Sequence, residues 1–230
     1  MTAAIELSQP ADVVVVSGGS AGATLAARLS EDANRRVLLL EAGLAFAPNA
    51  VPSALSNANN VAAVAFNWGY TARGGAYSPE IPVPRGRVLG GSSAVNAAVA
   101  IWARQSDIEA WGHHGVDGWS WDEVLATFKA IENTDVGDDD YHGRSGPLSI
   151  RQRTSGDLTP GPLGFIDAGR RRIQARGRLR RKRRRRCRWI PGQHVDGVRQ
   201  SSAVVYLTEE VRRRTNLTIL GGGRCRQGAL

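Results

Sequence analysis

The residues of this chain whose types and spacing suit chemistry fall in two glycine-rich stretches. In Gly86-Arg87-Val88-Leu89-Gly90-Gly91-Ser92-Ser93-Ala94-Val95-Asn96 the glycines remove Cβ atoms along a loop, which lets backbone N–H groups approach a charged, planar ligand. The paired serines are placed to cap a helix whose N-terminus would point at that ligand. In Ser17-Gly18-Gly19-Ser20-Ala21-Gly22 the pattern G-x-G-x-x-G falls on positions 17, 19 and 22, the spacing of a dinucleotide-binding turn. Glu41 follows Gly22 by 19 residues, where an acidic side chain at the end of a second strand bonds a ribose hydroxyl. Two such loops in one chain point to a large, extended cofactor, and flavin adenine dinucleotide (FAD) fits best.

Position 17 is Ser where the pattern has its first glycine. That glycine makes the tight turn, so a side chain there is expected to strain it, with Gly18 taking over part of the role. Nucleophilic or acid–base chemistry is not readable. The histidines are His113, His114, His142 and His194, and none has a nucleophile or base at a recognisable spacing, so no catalytic residue is assigned. Four carboxylates between Asp135 and Asp140 lack the alternating ligands and central glycine of a calcium loop and read as a solvated acidic turn.

The elements that must position these loops are those of an α/β fold. Asp12 to Val16 is a β-branched run of the kind buried on both faces of a parallel sheet. Ala23 to Ser30 reads as a helix and Arg36 to Leu40 as a second strand. Together they predict a Rossmann-like FAD-binding domain with a parallel sheet. Phe46 to Val64 reads as a long surface connection over the cofactor. Ser120-Trp121-Asp122-Glu123 is a capping box, starting a helix with Val124, Leu125, Phe128 and Ile131 on its core face. Gly146 to Ile150 reads as a strand opening an α+β substrate domain. Ser201 to Arg214 reads as one helix, with Val204, Val205, Leu207 and Val211 inward, and Asn216 to Leu220 as a strand.

Val15-Val16-Ser17-Gly18-Gly19-Ser20-Ala21-Gly22, Leu38-Leu39-Leu40-Glu41-Ala42-Gly43, Trp68-Gly69-Tyr70-Thr71 and Pro84-Arg85-Gly86-Arg87-Val88-Leu89-Gly90-Gly91-Ser92-Ser93 occur in one order. In that order they resemble the glucose–methanol–choline oxidoreductases, flavoenzymes that oxidise alcohols. The resemblance covers Asp12 to Ala168, including Trp111, Gly118-Trp119-Ser120-Trp121-Asp122 and Phe128-Lys129, and resumes from Val195 to Leu220. It implies that Gly19, Ser20, Ala21 and Gly22 face the pyrophosphate of FAD and Glu41 the adenosine ribose, with Ala42 and Trp68 in the same cofactor-binding set. Gly86, Val88, Gly90, Gly91 and Ser92 would wrap the flavin side, and Asn96, Ala97, Ala98 and Val99 would line the isoalloxazine. It also implies a small-molecule alcohol as substrate and hydride transfer to the flavin. In such enzymes a histidine near the C-terminal end, paired with a second histidine or an asparagine, takes the alcohol proton. That pair and the second family signature lie beyond Leu230, so the resemblance implies an N-terminal fragment that lacks its catalytic half. The isolated chain is then expected to be marginal or insoluble and to bind flavin weakly. A nicotinamide-dependent dehydrogenase would use the first turn but leave Gly86 to Asn96 idle.

The formal net charge is +9, which raises nucleic acid as a partner. Arg170 to Arg188 alone holds 12 Arg and one Lys; removing those 13 from the 30 basic residues leaves 17 against 21 acidic. The basic balance thus has one local source. Three readings compete for it: an arginine-rich nucleic-acid-binding segment, an exposed loop, or translation of a GC-rich gene out of frame. The last is preferred, because the family pattern stops near Gly169, returns at Asp196 and stops again at Gly222, and Cys187 and Cys225 both fall inside the aberrant stretches. The expected organisation is an FAD-binding domain over 1–145 and the start of a substrate domain over 146–168. An aberrant, disordered segment over 169–194, a family-like helix and strand over 195–221 and an aberrant tail over 222–230 would follow. With its two cysteines in suspect stretches, no disulfide framework or metal cluster is expected. No apolar run reaches membrane-spanning length, and the N-terminus lacks the features of a signal peptide. A cytoplasmic location is expected, with no membrane partner.

Overall fold

A computed structural model describes residues 10–61, 63–75, 79–152, 154, 156, 159–175 and 190–222, with only the backbone of 170–175. Its elements run β1 (Val13–Val16), α1 (Ser20–Leu29), β2 (Val37–Leu40), α2 (Ser53–Ser56), β3 (Thr71–Arg73), β4 (Glu80–Pro82), α3 (Gln105–His113) and α4 (Trp121–Ile131). Then come β5 (Glu132–Thr134), β6 (Leu148–Ile150), α5 (Pro160–Ala175), β7 (His194–Val195), β8 (Val198–Arg199), α6 (Ser202–Val205), α7 (Glu209–Arg212) and β9 (Leu217–Leu220). The described residues fall into two compact units, one within 1–98, 147–149 and 193–230, the other within 99–146 and 150–192.

The first unit is built on a parallel sheet of order β1-β2-β9. β2 lies in the middle, with Val37 opposite both Val13 and Leu217, and Leu40 opposite Val16 and Leu220. This central position accounts for its unbroken apolar sequence, and Leu39 is 0% exposed. Ala23, Ala26 and Ala27 of α1 are small enough to bring the helix close against the sheet, in one core with Val15, Leu39, Leu89, Ala203, Leu207 and Leu217. β1 departs from expectation. It is an edge strand among the described residues, and Val14 and Val16, on the face opposite Val15, are 36% and 62% exposed.

Two further expectations are corrected. The single helix over Ser201 to Arg214 is two short helices, α6 and α7. Thr208 interrupts it by accepting a hydrogen bond from the Val211 N–H, so the second half starts with its own cap. The stretch from Phe46 to Val64 is not merely a surface connection. Leu55, on α2, is buried with Val88, Ala94 and Val95, and Phe46 and Phe66 pack against that cluster.

In the second unit the capping box at Ser120 forms as read, its side chain accepting from the Glu123 N–H while Glu123 accepts from the Ser120 N–H. Only Val124 of the predicted core face is fully buried. The acidic turn is organised by Arg144, which donates to the carbonyls of Thr134, Val136 and Gly137 and to Asp139. His142, unassigned from sequence, places Nδ1 3.1 Å from both oxygens of the buried Glu132 and packs on Trp102. α5 carries regular helix as far as Ala175, into the segment read as disordered from residue 169. The remainder of the Arg-rich run, 176–189, lies outside the described residues, as do both cysteines.

Where β1 begins, Asp12 accepts from the backbone N–H, Nε and guanidinium of Arg36, the residue that enters β2. The hydrogen bond from the Arg36 side chain is the largest influence holding the Asp12 carboxyl down to about 2, from an ordinary value of 3.8. A depressed carboxyl contributes stability that is complete above its unfolded value and lost as pH falls through its folded value. Urea-unfolding midpoints between about pH 4 and pH 2 are therefore expected to fall less in Asp12→Asn than in the parent chain.

Candidate cofactor site

The site grows out of the C-terminal ends of β1 and β2. Ser17 leaves β1 with φ +86°, a region a side chain adopts at a cost of roughly 1–3 kcal/mol. The expected strain is thus present at Ser17, and Gly18 does not relieve it. Gly18 instead provides room, since a Cβ there would lie 2.6 Å from Leu89 Cδ1. Gly22 is fixed by the same turn, because a Cβ on it would stand 1.9 Å from the Ser17 carbonyl oxygen.

Glu41 spans the gap between the strand ends. Its carboxylate, 5% exposed, accepts from the Gly18 N–H (2.9 Å) and the Gly43 N–H (2.7 Å), one to each oxygen. Each oxygen keeps a second lone pair, so this anchoring leaves acceptor capacity for a ribose hydroxyl.

The second glycine loop packs on the first through backbone. The Gly90 N–H donates to the Gly18 carbonyl at 2.7 Å. Gly91, at φ +51°, approaches so closely that its Cβ would be 2.7 Å from Gly19 Cα. The Leu89 N–H bonds the Leu44 carbonyl, beside a parallel bridge between Leu44 and Val88. No capped α-helix follows Gly91. Gly91–Ala94 is a single 3-10 turn with Ser92 and Ser93 inside it. Their hydroxyls are used elsewhere, Ser92 Oγ accepting from the Gly86 N–H and Ser93 Oγ donating to the Gly90 carbonyl. Ser93 Oγ also accepts from the Ser202 N–H, and Ser202 Oγ reaches the Gly19 carbonyl, which ties α6 to both loops.

Arg199, which sequence reasoning did not single out, fixes the rest of the site. It ends a tight hairpin whose central residues, Asp196 and Gly197, have φ +49° and +77°, so the Asp-Gly pair between Val195 and Val198 was the available signal. The guanidinium is 1% exposed and donates to the carbonyls of Leu55, Asn60 and Asn96 and to Asn96 Oδ1. Burial lowers its pKa.

The residues expected to contact cofactor are brought together unequally. Gly19, Ser20, Ala21, Gly22, Glu41, Ala42, Gly86, Gly90, Gly91 and Ser92 lie on the strand ends, on α1 or on the two touching loops. The Val88 side chain is buried in the cluster around Leu55 and offers a ligand only its backbone. Asn96 and Ala97 are exposed, with Asn96 Oδ1 already accepting from Arg199 and the Ala98 N–H, and Ala98 is buried at φ +52°. Val99 belongs to the second unit. Trp68 stacks on Tyr70 at 5.8 Å and lies under the Arg87 guanidinium, whose Nε is buried without a hydrogen-bond partner.

These features fit a dinucleotide. The N-terminus of α1 has no capping side chain and no acidic residue in its first turn, so its first amides suit a pyrophosphate. Of the described side chains beyond its chain neighbours, only Ser17 Oγ lies within 4 Å of a would-be Gly19 Cβ. Among the described residues no three His, Cys, Asp or Glu gather in a way that suits a metal, and no helix is long and apolar enough to cross a membrane.

Fold and site define an α/β protein of the dinucleotide-binding class. Residues 11–227 match the model of the GMC oxidoreductase family, and the chain belongs to that family. FAD is the cofactor of the family's N-terminal portion. The chain is 38% identical over 165 residues to an oxygen-dependent choline dehydrogenase of Vibrio vulnificus, a match covering 71% of this chain and 30% of that protein. It superposes on pyridoxine 4-oxidase from Mesorbium loti with a TM-score of 0.79 and 35% identity, over 93% of this chain and 42% of that one. An FAD-dependent oxidoreductase from Chaetomium thermophilum shares the fold, with a TM-score of 0.75 and 24% identity over 92% and 38% of the two chains. The chain thus spans less than half the length of the relatives it matches.

Two outcomes follow from the packing. Gly22→Ala drives a Cβ into the Ser17 carbonyl and is expected to cost about 2–4 kcal/mol in denaturant unfolding. Arg199→Ala leaves the carbonyls of Leu55, Asn60 and Asn96 without their donor and is expected to cost about 3–5 kcal/mol by the same assay.

Proposed function

We propose that the chain is the FAD-binding portion of an FAD-dependent oxidoreductase acting on the CH–OH group of a small alcohol, with FAD laid across the two glycine loops. The observation that carries this reading is the contact of Gly18 and Gly19 with Gly90 and Gly91. One continuous backbone surface there borders both the pyrophosphate turn and the loop assigned to the flavin. Bound FAD would supply the acceptor for a hydride from the alcohol carbon.

The chain's own residues bind and orient. The uncapped amides of α1 hold the pyrophosphate, and Glu41, pinned by Gly18 and Gly43, presents its remaining lone pairs to the adenosine ribose. Gly86, Gly90 and Gly91 keep side chains out of the cofactor's path. Asn96, held by Arg199, fixes where the chain leaves the loop. No described residue is assigned to take the alcohol proton. The relatives named for choline and pyridoxine support a small alcohol as the substrate class.

The test is titration of the 230-residue chain with FAD and with NAD, followed by absorbance and by quenching of flavin fluorescence. Weak, saturable binding of one FAD per chain, an absorbance band near roughly 450 nm and no competition by NAD are expected. Glu41→Gln puts an N–H₂ against backbone donors and is expected to weaken FAD binding by about tenfold or more. Saturable binding of NAD alone would replace the flavin reading.

A further inference from the structure

Ser17 combines three observations that the fold does not require of one another. Its backbone stands at φ +86° although it carries a side chain. The residue is exposed, and its hydroxyl makes no hydrogen bond to the described residues. Its Oγ lies 3.5 Å from the point a Gly19 Cβ would occupy, and no other described side chain beyond the chain neighbours of Gly19 comes within 4 Å of that point. A glycine at 17 would make the same turn without the strain, so packing alone gives no reason for the side chain.

The position of the hydroxyl gives one. It stands over the open face of the α1 N-cap, beside first-turn amides that no side chain caps. The Glu41 carboxylate is turned to the amides of Gly18 and Gly43. A hydroxyl beside uncapped N–H donors, with no hydrogen bond to the described residues, suits a phosphate oxygen, to which it donates in a charge-assisted hydrogen bond. We infer that the Ser17 hydroxyl is a ligand of the cofactor's pyrophosphate, an added donor that the glycine of the G-x-G-x-x-G pattern cannot supply. This inference rests on the FAD reading above. Strain in the turn is then the accompaniment of a binding contact.

The experiment compares the full chain with Ser17→Ala and Ser17→Gly. FAD and ADP, which share the pyrophosphate, are titrated by calorimetry, and thermal unfolding is followed without ligand. Ser17→Ala keeps the Cβ and its strain but loses the hydroxyl, and is expected to weaken FAD and ADP by about tenfold with an unchanged unfolding midpoint. Ser17→Gly loses both, and is expected to weaken the two ligands equally while raising the midpoint by about 2–4 °C. Wild-type affinity for FAD and ADP in Ser17→Ala would overturn the inference and leave the FAD reading standing. A parent chain that is folded but binds neither ligand would overturn that reading, and the inference with it.

Discussion

The buried guanidinium of Arg199 is the point on which the rest of the first unit depends. Its donors end on the carbonyls of Leu55, Asn60 and Asn96, so one side chain joins the segment after β2, the exit of the second glycine loop and a hairpin distant in sequence. A cation with 1% exposure is stable only where its donors are met, and here backbone oxygens meet them without a carboxylate. Asn60 and Asn96 lie in irregular chain between elements, and Leu55 in the single turn of α2. Arg199 therefore stands in for secondary structure where the chain has little.

Around that anchor the site is made of backbone. Gly90 and Gly18 join through main-chain atoms, Glu41 holds two amides, and the serines of the second loop bond main-chain groups on both sides. Such a surface is specific about shape and charge, offering amide hydrogens where side chains would interfere. It contributes position more than reactivity. Ser17 is the exception, a side chain kept where the backbone is strained.

Much of this was legible in the sequence. The β-branched run at Val13, the apolar run at Val37 and the small residues of α1 can satisfy burial in few other ways, and Ser17-to-Gly22 followed by Glu41 placed the turn and its acid. The misreadings share a cause. Ser201 to Arg214 has helical periodicity, but the capping ability of Thr208 competes with it, and periodicity does not register such competition. Ser92 and Ser93 have the type and spacing of caps, while φ values of +95° and +51° put Gly90 and Gly91 in the left-handed region, where no right-handed α-helix starts. Arg199 was overlooked because an arginine in sequence reads as surface, and only tertiary structure collects three carbonyls around it.

The pairing of β2 with β9 also bears on how the chain acquires its form. Val37 meets Leu217 across a separation of 180 residues, and the Gly18–Gly90 contact itself closes a long loop. Contacts so distant in sequence draw on chain entropy before they return any stabilisation, and folds dominated by them form slowly. During synthesis this apolar central strand emerges long before its second neighbour exists. Its second edge stays unpaired until residues 217–220 are made, and through that interval it is open to pairing with other molecules.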